Sequence, residues 1–298
     1  MKTKPHLPFS IVSRGRLHEF DRPAVMGILN VTDDSFYDGG RYREPEAMLS
    51  QARKLLADGA DIIDIGASSS RPGTTLTTLI PQDEEARRLT EAVRLLRSEM
   101  PDCIISVDTC FAAPARAAIE AGADIINDIA GGELTQPINQ SSNQAIPEMF
   151  ATVAELQVPY IMMHGGREHV NHEPYLEDDR LIDSMVQFYS QRLDTLYRLG
   201  VKDVWIDPGF GFGKTVEQSH MLLDRLDELT TLFREPLLAA LSRKSMIYRP
   251  LGITPDEALD GTIALDAIAL DRGARIVRVH DVKPALETIK LLAINSKP

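Results

Sequence analysis

Short apolar runs alternate with amphipathic stretches down the length of the chain. Four runs are opened by variants of one phrase: Gly59-Ala60-Asp61-Ile62-Ile63-Asp64, Gly122-Ala123-Asp124-Ile125-Ile126-Asn127, Gly273-Ala274-Arg275-Ile276-Val277-Arg278, and the looser Gly200-Val201-Lys202-Asp203-Val204-Trp205-Ile206-Asp207. Four more follow a proline: Val25 to Val31, Cys103 to Asp108, Tyr160 to His164 and Leu237 to Leu241. Near-continuous apolar runs of this length suit parallel strands covered on both faces. Between them the period changes to that of a helix. Asp83 to Ser98 carries Ala86, Leu89, Val93 and Leu96 on one face, and Leu181 to Leu199 carries Ile182, Met185, Tyr189, Leu193 and Leu196. Pro45 to Asp58 has proline near its start and Gly59 as its stop. Eight strand-then-helix units predict an α/β fold, a single (β/α)8 TIM barrel over residues 25–298 with a short N-terminal extension over 1–24. In such a barrel the site lies at the C-terminal ends of the strands, where almost every run here ends in a polar residue.

Some segments exceed what the scaffold needs. Thr32 to Arg41 and Gly66 to Pro81 are rich in small and polar residues and are expected to act as lids. Gly165 to Pro174 is a third long loop, and the Gln- and Asn-rich stretch Glu133 to Ala145 reads as an insertion without function.

Composition narrows the partners. The 298 residues carry a net charge of −12, which argues against nonspecific binding to nucleic acid or an anionic membrane. No run approaches the roughly 20 apolar residues of a membrane span. With two cysteines, Cys103 and Cys110, a disulfide framework is not expected, and a reducing cytoplasmic location is the default. Against the acidic background Arg71, Lys214, Arg243, Lys244, Arg278 and His280 all fall just after strands and point to an anionic substrate.

Asp207-Pro208-Gly209-Phe210-Gly211-Phe212-Gly213-Lys214-Thr215 is neither a Walker A loop nor a dinucleotide fingerprint, because its glycines fall at the wrong positions. It is a glycine-rich turn that lets backbone approach a flat ligand. Asp64, Asp108, Asn127 and Asp207 form a series of strand-end acceptors suited to the N–H groups of an amidine-like heterocycle, although each alone would read as a helix cap. His164, His169 and His172 with Glu168 and Glu173 fit no structural zinc spacing. Asn30 with Asp38 and a substrate phosphate is the more credible arrangement, for magnesium.

These motifs together resemble the dihydropteroate synthase family. The resemblance rests on Met26 to Thr32 with Asp34-Ser35-Phe36, Ile63 to Gly66 with Ser70 to Gly73, Ser106 to Thr109, Ile126 to Ile129, Met162 to His164, Asp207 to Thr215, Ser242 to Ser245 and Arg278 to Val282. It implies condensation of 6-hydroxymethyl-7,8-dihydropterin diphosphate with 4-aminobenzoate to 7,8-dihydropteroate and diphosphate in folate biosynthesis, with SN1 character. By position it implies that Asp108, Asn127, Asp207, Lys244, Met163 and Phe212 hold the pterin. Asn30, Ser70, Arg71, Arg278 and His280 would hold the diphosphate. Phe36, Pro72 and Ser245 would line the aminobenzoate pocket, Asn30 and Asp38 would hold Mg2+, and Asp108, Lys244 and Arg71 would form the catalytic group. It further implies a homodimer and inhibition by sulfonamides.

The chain departs from the family's pattern at four places. Asp33 stands in place of a usual proline, and Ser68 and Ser70 replace glutamate and threonine. Ala240 replaces a glycine, and Gly165-Gly166-Arg167 follows His164. Two other readings share the barrel: a corrinoid-linked pterin methyltransferase, which lacks the diphosphate machinery, and a noncatalytic pterin-binding paralogue.

Overall fold

The computed structural model describes residues 8–31, 43–67, 80–134, 137–139, 145–165 and 180–295. Strands β1 (Phe9–Ser13) and β2 (Arg16–Phe20) form an antiparallel hairpin. Strands β3 (Ala24–Asn30), β4 (Ile62–Gly66), β5 (Ile104–Asp108) and β6 (Ile125–Asp128) run parallel to one another in that order. A second short antiparallel pair joins β7 (Pro137–Asn139), inside the Gln- and Asn-rich stretch, to β8 (Ala145–Pro147), which begins at its end. The parallel series resumes with β9 (Tyr160–Met163), β10 (Val204–Asp207), β11 (Leu238–Ala239) and β12 (Ile276–Val279). Ile206 bridges Leu237, and β12 pairs with β3, so the eight parallel strands close into a ring. The expected barrel is therefore present. Its seventh strand is shorter than the Leu237-to-Leu241 run suggested, because the chain turns away through Arg243 at φ 58°.

Strand alternation splits the core in two. Val25, Leu29, Ile63, Ile65, Ile105 and Val107 face outward into a shell shared with the helices. Met26, Ile62, Ile104, Ile125, Ile161, Trp205, Leu238 and Ile276 face inward and fill the barrel. Two residues further along, the inward series becomes Asp64, Ser106, Asn127, Met163, Asp207 and Arg278. The interior thus changes from apolar to polar at one level, and that level is the floor of the mouth.

The opposite end is stoppered. Ile11 and Phe20 of the hairpin join the inner apolar cluster. Phe9 stacks on Phe20 at 4.6 Å and meets Trp205 edge-on at 5.6 Å. Aspartates from the repeated phrase secure it. Asp124 accepts from Ser13 Oγ (2.5 Å), Arg14 Nε (2.7 Å), Arg97 (2.6 Å) and the Ile105 N–H (2.8 Å). Asp61 accepts from the Val25 N–H and both terminal nitrogens of Arg22, and Asp203 from the Val12 N–H. Burial opposes ionisation of Asp124, but Ser13, the Ile105 N–H, Arg14 and Arg97 outweigh it and hold the carboxyl below its ordinary range.

The helices keep the predicted faces. Gln82–Glu99 buries Leu89, Ala92, Val93 and Leu96, with Asp83, Glu84 and Glu85 in its first turn and Arg97 in its last, as the helix dipole favours. Gly59 ends the preceding helix, Arg43–Ala57, at φ +101°, where a Cβ would stand 2.4 Å from Leu286. That combination of backbone angle and space explains why the repeated phrase opens on glycine.

Candidate active site

Strand ends from around the ring bring their polar residues to the open mouth. Arg278, inward on β12, donates from Nε to Asp64 Oδ2 (2.6 Å) and from Nη2 to Asp108 Oδ2 (2.9 Å). Asn127 Nδ2 donates to the same Asp64 oxygen at 3.2 Å. The guanidinium ties β12 to β4 and β5 across the mouth, past β3, which lies between. Burial works against its charge, yet the two carboxylates outweigh that and raise its pKa. Even so, two acceptors on this floor, Asp64 Oδ1 and Asn127 Oδ1, have no hydrogen-bond partner among the described residues, and neither has the Ser106 hydroxyl. Buried acceptors without donors cost stability, and a ligand bearing N–H groups would satisfy them.

Electrostatics set Asp108 apart. Burial pushes its carboxyl up to about 7; Arg278 pulls it down, while Asp64, Glu85 and Asp128 push it up. Asp207 is likewise raised by burial, against the opposing pull of Lys244 and the Gly209 N–H. That N–H donates to Asp207 Oδ1 at 2.8 Å, and the hydroxyl of buried Tyr189 donates to the Asp207 carbonyl at 2.6 Å. No local pattern in the chain points directly to the Tyr189 bond. Its signal was indirect: a tyrosine on the buried face of a helix needs a partner for its hydroxyl.

Lys244 reaches the mouth through a sharp turn. Arg243 takes the left-handed conformation at φ 58° and turns to Asp281, which it grips through Nε (2.9 Å) and Nη2 (3.0 Å). Lys244 goes the other way, donates to the Phe210 carbonyl at 2.7 Å and lies 4.5 Å from the centre of the Phe212 ring. Burial lowers its pKa to about 8, opposed by Asp207 and reinforced by Arg278. Gly209, at φ +67°, passes so close to β9 that a Cβ would lie 2.2 Å from the His164 carbonyl. The glycine-rich turn therefore does bring bare backbone to the mouth. Ser245 Oγ lies 4.0 Å from where a Cβ on Gly211 would be, on the same wall as Lys244.

The cations found in the sequence divide. Arg278 and Lys244 face the ring of acceptors. Arg243 is committed to Asp281, and Lys214 donates to the carbonyls of His164, Gly209 and Phe212. His280 is exposed at the rim with Nδ1 3.0 Å from Ser242 Oγ. Asn30 is exposed at the end of β3. A Cβ on Gly66 would lie 3.8 Å from both its Oδ1 and Asp108 Oδ2, so glycine leaves the space between them open. Phe36, Asp38, Ser70, Arg71 and Pro72 lie outside the described residues, as do Asp33, Ser68, His169 and His172. Buried Met163 lies inward on β9, level with Asp207.

Comparison with known proteins agrees with this geometry. Residues 26–280 match the family of pterin binding enzymes. The dihydropteroate synthase of Streptococcus pyogenes serotype M3 is 39% identical over 274 residues, covering 91% of this chain and 94% of the relative. The Yersinia pestis dihydropteroate synthase in its sulfonamide drug complex superposes with a TM-score of 0.81 at 35% identity, over 96% of this chain and 98% of that one. The Xanthomonas albilineans enzyme with 4-aminobenzoic acid gives 0.82 at 35% identity, over 97% and 99%. The chain belongs to the pterin binding enzymes and, among them, to the dihydropteroate synthase family of transferases.

Proposed function

We infer that the protein joins 6-hydroxymethyl-7,8-dihydropterin diphosphate to 4-aminobenzoate, releasing diphosphate and forming 7,8-dihydropteroate for folate biosynthesis. The observation that carries this reading is the pair of donorless acceptors, Asp64 Oδ1 and Asn127 Oδ1, set in one mouth with Arg278 and Lys244. A pterin offers a fused ring with adjacent N–H donors, and its diphosphate offers the anion that two cations require.

In this reading Asp108, Asn127 and Asp207 accept from the pterin, while Lys244, Met163 and Phe212 bound its faces. The C–O bond between the pterin methylene and the diphosphate breaks first, and the electron pair leaves with diphosphate. Arg278 keeps Nη1 free of protein partners among the described residues, and that group with His280, Asn30, Ser70 and Arg71 meets the charge as it develops on the leaving group. Asp108, ionised above about pH 7, offsets the positive charge left on the pterin methylene. The neutral amine of 4-aminobenzoate then adds its lone pair to that carbon and loses a proton to solvent. Phe36, Pro72 and Ser245 line its pocket, where a sulfonamide would compete. Asp108, Lys244 and Arg71 form the catalytic group.

Asn30 presents an exposed amide oxygen, a hard ligand of the type magnesium takes, and Mg2+ keeps few protein ligands when phosphate oxygens are shared. Asn30 and Asp38 would hold it, and it would neutralise charge on the departing diphosphate. Exposed Ile268, Leu291 and Ile294 lie on the two packed helices Leu259–Asp271 and Val282–Asn295 and support a homodimer through that face. Among the described residues no helix is long and apolar enough to cross a membrane, and both cysteines are free, which supports a cytoplasmic location.

Diphosphate release from the pterin diphosphate, with and without 4-aminobenzoate, tests the reading. With the amine present, one dihydropteroate formed per diphosphate released is expected, and release without it fits a bond that breaks first. No release under either condition overturns it.

A further inference from the structure

Lys214 belongs to none of the ligand groups above, yet it is held more tightly than any other lysine at the mouth. Its Nζ donates to three backbone carbonyls: His164 at 3.0 Å, Gly209 at 3.1 Å and Phe212 at 3.0 Å. Two of these lie in the glycine-rich turn, and the third lies just past the end of β9. Among the described residues no carboxylate forms an ion pair with it, so carbonyls take all its hydrogen bonds, while Asp207 favours its charge from further away. An ammonium has three donors, and all are used.

The three carbonyls fix the turn that shapes the pterin side. Gly209 gives its N–H to Asp207 Oδ1 (2.8 Å), and Phe212 presents its ring to Lys244 at 4.5 Å. Carbonyls converging on one point repel each other unless a cation sits between them. Without it the Gly209 oxygen keeps the Phe212 N–H at 3.0 Å, while the Phe212 and His164 oxygens lose the donor that draws them together with it. The close approach of Gly209 to His164 then loses the ammonium that bridges their two carbonyls. Burial has already lowered the Lys214 pKa to about 7, with Asp207 opposing, so the site tolerates this ammonium with little margin.

We propose that Lys214 is a positioning residue for pterin binding: its ammonium is a tethered cation that three carbonyls coordinate, and it sets the aspect of Asp207 and the Phe212 ring without touching the ligand. The proposal rests on the pterin reading of the mouth.

Calorimetric titration with 6-hydroxymethyl-7,8-dihydropterin tests both at different points. The wild-type protein comes first; if it does not bind the pterin, the functional reading fails before Lys214 is tested. Lys214→Met, similar in length and without donors, should weaken binding about tenfold or more, a change of roughly 1.4 kcal/mol. KM for the pterin diphosphate should rise more than kcat falls. Lys214→Ala should show the same loss and regain most of it in propylammonium chloride, which supplies the missing methylenes and the three donors. Tetramethylammonium chloride at equal ionic strength, a cation without N–H groups, should restore nothing. Circular dichroism and thermal melts identify the folded variants. Unchanged pterin affinity in Lys214→Met overturns the proposal. So does a folded Lys214→Ala that loses affinity and recovers none with propylammonium.

Discussion

Asp61, just before β4, and Asp64, within it, lie three residues apart and meet opposite fates. Asp61, at the stoppered end, accepts from the Val25 N–H and twice from Arg22. Asp64, at the open end, shares one oxygen between Arg278 and Asn127 and leaves the other without a donor. Asp124 and Asn127 repeat the contrast: four donors converge on Asp124, while Asn127 Oδ1 has none among the described residues. One end of the barrel uses its carboxylates to complete the fold. The other holds them in reserve, incompletely satisfied, for a ligand. A site of this kind sits at a cost in stability that the closed end offsets.

The largest expected effect comes from Arg278→Ala, which leaves Asp64 and Asp108 buried without their guanidinium. Single-turnover diphosphate release should fall by about 10³-fold, the upper range for loss of a charge-stabilising donor. Pterin affinity should fall with it, because both carboxylates lose their orientation. Turnover near that of the wild type would mean that the open end does not depend on this bond. At the closed end Asp124→Ala should cost about 3 kcal/mol in urea unfolding, as removal of one partner from a buried ionic group does. The kcat of the folded fraction should stay unchanged. A fall in kcat instead would show that the two ends are coupled.

The two ends should also answer pH with opposite signs. Asp108 has a folded pKa of about 7, above its ordinary 3.8, so the folded state retains a proton that the unfolded state releases. Stability from this group is full below about pH 4 and falls as pH rises to about 7. Asp108→Asn should therefore stabilise the protein by about 1 kcal/mol at pH 8 while abolishing turnover, with the gain shrinking toward pH 5. Asp124 has a folded pKa below the ordinary value, so its contribution is present above about pH 4 and is lost as pH falls through the folded value. Thermal melts of Asp108→Asn and Asp124→Asn across pH 3 to 8 (about the span of both titrations) would separate the two. A pH-independent gain for Asp108→Asn would remove this carboxyl from the account. The smallest effect is expected for Ser106→Ala, which deletes a buried hydroxyl with no partner and should change stability by less than about 1 kcal/mol. A larger loss in the melting curve would reveal a bond that this hydroxyl makes.

Much of this was legible from the chain itself. Gly59, Gly122 and Gly273 mark helix ends, and the apolar runs after them mark strands, so the eight-unit barrel follows from periodicity and spacing. Asp64, Asp108, Asn127, Asp207, Lys244 and Arg278 could be placed at strand ends by counting. What counting does not supply is which side chains meet across the ring. Arg278 bonds Asp64 over a separation of 214 positions, and no local signal encodes that partner. The same holds for the stopper: Ile11 and Phe20 alternate with exposed neighbours as in any hairpin, but only closure of the ring creates the apolar end they fill. Lys214 looked like one more cation for an anionic substrate. Its commitment to three carbonyls depends on backbone angles in the glycine-rich turn, which sequence leaves open.

The bond between Arg278 and Asp64 also sets a clock for biosynthesis. With 214 positions between them, and synthesis at about 5–20 residues per second, Asp64 emerges from the ribosome roughly 10–40 s before its guanidinium exists. β3 waits longer still for β12, its neighbour in the closed ring. During that interval the free edge of β3 stands as a template for any other strand, and the nascent chain must be kept apart from its copies until the last strand arrives.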